Sequence, residues 1–190
     1  MENEVSIQGI EIKHVDIKVN GTAPLIVHKW SEKAKKEMLD KQMKKAKTGR
    51  ETKNPQRDYE DSLYKTDDGK YGFPAVAFKA AMVGAGAYCE FKKTYLRGAF
   101  HINCEMVEIK GEPTMREDMV RVGMGTADIR YRGEFKQWSA TLPITYNSRA
   151  ISVDQILNLI MIAGFAIGVG EWRPERDGNY GRFEIAQRGK

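Results

Sequence analysis

Apolar and polar positions alternate at the start of the chain. Val5 and Ile7, then Ile10, Ile12, Val15 and Ile17, follow a period of two that predicts a strand over 5–18 with a bend near Gly9. Asn20-Gly21 reads as a turn dipeptide, and 23–27 as a short apolar strand. Ser31 is an N-cap residue ahead of a lysine-rich helix reaching Lys47, whose apolar positions (Ala34, Met38, Leu39, Met43, Ala46) form a narrow stripe. Over 48–72 the pattern dissolves into polar residues with scattered tyrosines, which reads as a mobile insertion longer than ordinary connections. Phe73-Pro74 restarts order, with Pro74 in the first turn of a helix over 75–88 rich in alanine and glycine. Strand patterns follow at 98–109, 119–124, 127–132 and 137–146. Ser152 then caps a helix over 153–167 that is apolar on nearly every side, and a glycine-rich turn leads to a last strand at 181–186. No internal repeat is visible.

Two apolar helices separated by strands, with strands at both ends, fit an α+β fold. The expected architecture is a ferredoxin-like (RRM-like) antiparallel sheet with two packed helices, carrying extra strands and a basic helix-loop insertion at about 29–72. At 190 residues, 41% apolar with seven Phe, eight Tyr and three Trp, the chain is expected to form a single domain over 1–190 with a sizeable core. Its longest apolar stretch, 156–169, holds Asn158 and falls short of the roughly 20 residues a membrane span needs. The acidic, polar N-terminus does not read as a signal peptide, and Cys89 and Cys104 are too few for a disulfide scaffold. The expectation is a soluble, cytoplasmic protein of a bacterial or phage-infected cell, with no metal, cofactor or membrane partner.

Charge sharpens the picture. The formal net charge is +5, but 29–57 holds eleven basic residues against four acidic ones, a local +7 that leaves the remainder at −2. A nearly neutral body with one basic arm is what a polyanion-binding protein presents, because each phosphate contact releases counterions. The alternative is a solvated lysine-rich helix.

Catalytic constellations are hard to find. His14, His28 and His101 have no metal-ligand spacing. His28, beside Lys29 and Trp30 at the root of the arm, is the best candidate base for RNA cleavage, yet no partner is identifiable. Glu105, Glu108 and Lys110 look like half of a nuclease site, but strand alternation explains them equally. The run from Gly164 to Gly170 follows a helix rather than a strand, so it is neither a Rossmann fingerprint nor a P-loop. The segment after it is the most unusual in the chain. Over 168–183 glycines are interleaved with Trp172, Tyr180 and Phe183 and with Arg173, Arg176 and Arg182. Glycine lets a backbone approach a phosphate, aromatics stack on bases, and arginine does both. The other reading is a glycine-rich hairpin whose aromatics cap the core.

Three stretches, IKVNGTAPLIVHKW (17–30), FPAVAFKAAMVGA (73–85) and GVGEWRPERDGNYGRFEI (168–185), resemble the first strand, first helix and C-terminal glycine-rich loop of the RAMP superfamily, the RRM-like proteins of CRISPR effector complexes. The chain is shorter than that family's backbone-forming members. The resemblance implies nucleic-acid binding by the glycine-rich loop, the sheet face and the basic excursion.

The leading expectation is therefore a non-enzymatic binder of single-stranded DNA or RNA that forms a homo-oligomer along the strand, either a CRISPR-effector-like backbone subunit or a phage single-strand-binding or annealing protein. Lys33, Lys36, Lys41, Lys44 and Lys45 would hold phosphates, with Lys29, Arg50 and Lys79 also among the nucleic-acid-binding residues. Trp30, Trp172 and Tyr180 would stack on bases, and Arg173, Arg176 and Arg182 would bridge both. The alternatives are a protein-interaction module with a basic docking arm and a metal-independent RNA-processing endonuclease with His28 as base.

Overall fold

Alternation in the first strand sorts its side chains to two faces. Val15, Ile17 and Val19 point one way and are half-buried or buried, while His14, Asp16 and Lys18 point the other way and are exposed. The computed structural model describes residues 9–45, 52–122 and 125–186, and expectations for 5–8 lie outside them. Strand β1 (Ile12–Gly21) pairs antiparallel with β8 (Ser139–Asn147), Ile17 opposite Leu142 and Val19 opposite Ala140. On its other side β1 pairs with β9 (Phe183–Ile185). Beyond β8 lie β5 (Met106–Lys110) and then β3 (Gly72–Pro74), with β4 (Phe100–Ile102) pairing β8 alongside. All these pairings are antiparallel.

Helices α3 (Ala75–Ala85) and α5 (Val153–Ile162) share one buried cluster with the inward row of this sheet. Phe78 of α3 meets the rings of Phe73, Trp138 and Phe183 at centroid distances of 5.8–6.5 Å. Helix α5 starts as the sequence predicts: the Ser152 hydroxyl accepts from Gln155 N, and the Gln155 side chain accepts in turn from Ser152 N. It ends in a π turn over Ala163–Ile167, closed by Gly168 N donating to Ala163 O at 2.8 Å.

A second sheet holds β2 (Leu25–Val27), β7 (Thr126–Phe135) and β6 (Pro113–Val122), in the order β2-β7-β6. The β6–β7 pairing runs from Pro113 opposite Phe135 to Val122 opposite Thr126. Helix α1 (Glu32–Gln42) follows β2, and a short helix α4 (Lys93–Ala99) precedes β4.

Several expectations need correcting. Asn20-Gly21 does not turn; both residues continue β1, opposite Ser139 or Glu184 and Phe183. Glycine is required there because the Trp138 ring fills the space a Cβ would take. The segment 52–72 is not a structureless insertion. It contains α2 (Pro55–Ser62), whose Asn54 side chain caps Arg57 N at 3.1 Å, and an antiparallel bridge between Lys65 and Tyr71. Helix α2 lies against the root of the β6–β7 hairpin, where Tyr59 Oη donates to Pro113 O and Leu63 occupies the space beside Gly133. The strand expected at 98–109 is helix up to Ala99, then β4 and β5.

Candidate nucleic-acid interface

The site grows from the short strand β2. Leu25, Ile26 and Val27 are fully buried, and the chain then surfaces at His28. Burial holds the His28 pKa below the ordinary histidine value of 6.5; Arg132 and Arg130 push the same way, and Glu171 opposes them. No side chain hydrogen-bonds to His28 among the described residues, so a general base there would lack an orienting partner. Lys29 N donates to Ser62 O at 2.8 Å, fastening the root of α1 to the end of α2. Trp30 is 51% exposed, with the Lys35 ammonium 5.9 Å from its ring centroid.

Helix α1 has no buried position among its described side chains. Met38, Leu39 and Met43 are about half exposed, and the lysines lie in solvent. Lys35 pairs with Glu32 and Lys45 with Asp40, whereas Lys29, Lys36, Lys41 and Lys44 have no ion pair among the described residues. The Lys33 side chain and Arg50 lie outside the described residues.

The glycine-rich segment folds back onto β2. Gly170 (φ 81) rests on Ile26, where a Cβ would stand 2.5 Å from the carbonyl oxygen. Glu171 N donates to Ile26 O at 3.0 Å, and Gly181 N donates to Pro24 O at 2.8 Å. The loop aromatics are engaged from below by the β6–β7 hairpin. The Arg132 guanidinium lies 4.6 Å from the Trp172 ring centroid, and that of Arg116 lies 5.4 Å from Trp172 and 5.1 Å from Tyr180. Asp118 joins the two arginines, accepting from Arg116 Nε at 2.9 Å and Arg132 Nη1 at 3.3 Å. Glu134 accepts from Arg116 Nη1 at 2.9 Å. Burial works against the charge on Arg116, but the hydrogen bonds to Asp118 and Glu134 outweigh it and raise its pKa above the usual arginine value. Trp172, at φ 47, holds a left-handed backbone conformation.

The structure thus gives the loop residues particular surroundings. Trp172 and Tyr180 are half-buried against arginines of their own chain. Arg173 bonds Glu175 at 2.8 Å and Gly170 O at 3.2 Å, and Arg182 Nε donates to Asn179 O. Arg176 is exposed at the tip. Lys79 is not brought to this surface: its ammonium lies 3.0 Å from His101 Nδ1 on β4, and burial lowers its pKa.

Two openings meet at His28. One is a cleft of about 250 Å³ between the glycine-rich loop and α3, walled by Tyr64, Ala77, Gly168, Glu171 and Arg173. Burial, followed by the charge of Glu171, raises the Tyr64 pKa. The other is a groove of about 570 Å³ beside Trp30, where Lys29, Lys53 and Arg130 stand among the carboxylates of Glu37, Asp58, Asp61 and Asp128. Asp128 there is paired with Lys53, whose hydrogen bond and charge lower its pKa. Sequence reasoning missed Arg116, Arg130, Arg132, Tyr64 and Glu171. Their only sequence signal is the density of arginine at alternate positions, 130 and 132, in a strand.

No group of three or more His, Cys, Asp or Glu able to hold a metal occurs among the described residues, and Cys89 and Cys104 are free thiols. No helix of the described residues is long and apolar enough to cross a membrane.

Neither a family model nor a curated protein matches the chain. Among solved structures, the crystal structure of Cmr6 from Pyrococcus furiosus is similar to 94% of this chain and 100% of its own, at 11% sequence identity and a TM-score of 0.49. The class the fold defines is a mixed helix and antiparallel-sheet protein.

Proposed function

We propose that this chain binds single-stranded nucleic acid without cleaving it, leading the strand from the groove at Trp30 past His28 into the cleft beneath the glycine-rich loop. The observation that carries this reading is the meeting of the two openings at His28 beside a helix whose lysines are in part free of ion pairs among the described residues. A cleft of about 250 Å³ is on the scale of one nucleoside, and so favours an unpaired base over a duplex. Lys29, Lys36, Lys41 and Lys44 supply phosphate contacts, joined by Lys33 and Arg50 of the same arm. Stacking falls to Trp30, the exposed ring of the set. Trp172 and Tyr180 serve as pillars that hold the loop over the cleft, and Arg176 meets the strand at its tip.

The strand order β5-β8-β1-β9, with α3 leading from β1 towards β5 and α5 leading from β8 to β9, supports reading the body as a ferredoxin-like sheet of the RRM kind. This agrees with the sequence resemblance to the RAMP superfamily. Copies of the chain assemble side by side on the strand, as a single nucleoside-sized cleft per copy would require for a long ligand.

Replacing Trp30 tests the assignment. With its ring half in solvent, Trp30→Ala leaves the melting temperature unchanged and weakens single-strand affinity by about 1–3 kcal/mol, the measured range for one stacked base. Unaltered affinity in an anisotropy titration removes Trp30, and with it the proposed path, from the binding surface.

A further inference from the structure

Strand β6 forms the outer edge of the three-stranded sheet, and nothing among the described residues pairs with its far side. Such an edge turns alternate N–H and C=O groups outward and is a template for another strand. Edges are ordinarily shortened, bulged or blocked. This one runs from Pro113 to Val122 and carries exposed apolar side chains, Met115 at 49% and Met119 at 68%, with Ile129 opposite Met119 on β7 at 43%. Helix α2 meets this face at the hairpin root, where Leu63 fills the space beside Gly133, and borders Ile129 and Tyr131 across a groove, while Met115 and Met119 stay exposed.

We propose that β6 pairs antiparallel with β6 of a second copy of this chain, about a two-fold axis through Met119. A two-fold axis normal to the sheet brings residues equally distant from its centre opposite each other on the same face. Centred on Met119, Glu117 of each copy faces Arg121 of the other, and the two Met119 side chains meet between these pairs. Glu117 and Arg121 are both exposed, and neither has an ion pair within its own chain among the described residues. Other centres are worse. An axis at Arg116, Glu117, Asp118 or Arg121 sets like charges face to face, and one at Val120 sets Met119 against Arg121. An axis at Met115 joins no opposite charges and pairs only residues 113–117, so charge order and paired length together select the Met119 register, which opposite charges across the strand pair stabilise. Because the axis is normal to the sheet, both Trp172 loops fall on the same side of the joined ribbon, the side of Arg116 and Arg132. Being two-fold, this contact closes at two copies, so it is separate from the side-by-side assembly named above, and it needs no nucleic acid.

Sedimentation velocity on the full chain without nucleic acid, from low to several hundred micromolar, tests it, with single-strand binding measured separately. The expected result is a monomer–dimer equilibrium. Glu117→Arg and Arg121→Glu each weaken the dimer by roughly tenfold or more, because each change acts twice across the axis. Mixing the two variants restores it, since every facing pair is then Arg against Glu, and that recovery also shows both variants to be folded. A chain monomeric throughout, a dimer indifferent to Glu117→Arg, or a mixture that stays monomeric overturns the proposal and leaves the nucleic-acid reading standing.

Discussion

Asp118 is the carboxylate on which the loop's support rests, and removing it has a calculable cost. Its side chain is 8% exposed and accepts from both Arg116 and Arg132, the latter 4% exposed with a buried Nε that already lacks a partner. In Asp118→Ala, Arg116 keeps Glu134, whereas Arg132 keeps only Trp172 and a 4.0 Å approach to Glu171. Breaking a buried pair from one side costs about 3–5 kcal/mol, and the surviving partners place this case near 3 kcal/mol. For a chain of this size, each kcal/mol moves the melting temperature by about 2–4 °C, so a fall of about 6–12 °C is expected. The assay is thermal unfolding by circular dichroism beside Glu184→Ala, an exposed strand carboxylate without an ion pair among the described residues. A fall no larger than that of Glu184→Ala refutes the claim that the arginine–aspartate network bears on the fold.

Two glycines with the same φ of 81 separate strain from crowding: Gly69→Ala, with nothing within 4 Å of the new Cβ, costs about 1 kcal/mol, whereas Gly170→Ala also meets the Ile26 carbonyl and costs at least about 2 kcal/mol, read as chemical-denaturation midpoints. Because the folded pKa of His28 lies below 6.5, the unfolded chain takes up its proton first, so the stability His28 contributes is present above pH 6.5 and is lost as the pH falls through the folded value. His28→Gln accordingly flattens the decline in stability below pH 6.5, and an unchanged slope contradicts the shift. Lys36→Ala and Lys41→Ala each lower the salt slope of single-strand binding by about one unit, since one phosphate is no longer neutralised, and leave the melting temperature in place.

The elements most legible in the sequence were those that local chemistry determines. Ser152 and Gln155 form a capping box that needs only four consecutive residues, and the apolar run behind them has no alternative to burial. Alternation gave β1 and β8 their inward rows, which placed the core. Helix α2 was hidden because PQRDYEDS carries no apolar period. Its order comes from the Asn54 cap and from Tyr59 and Leu63 gripping a hairpin that lies far along the chain. Gly21 was misread for a similar reason, since the ring that requires glycine belongs to Trp138. At the candidate site, Lys29 and Trp30 were legible as a charged, aromatic segment at the arm's root, and the structure leaves them exposed. The surroundings of Trp172 and Tyr180 were not, because Arg116 and Arg132 reach them only through the β6–β7 register, a non-local fact.

The most direct test of the account is fluorescence anisotropy with labelled single-stranded DNA, single-stranded RNA and duplex DNA, each at about 50 and 200 mM salt. The account predicts binding to single strands that tightens at the lower salt and exceeds binding to the duplex, with the ratio between DNA and RNA identifying the ligand. Equal affinity for duplex and single strands, or no binding at the lower salt, contradicts it.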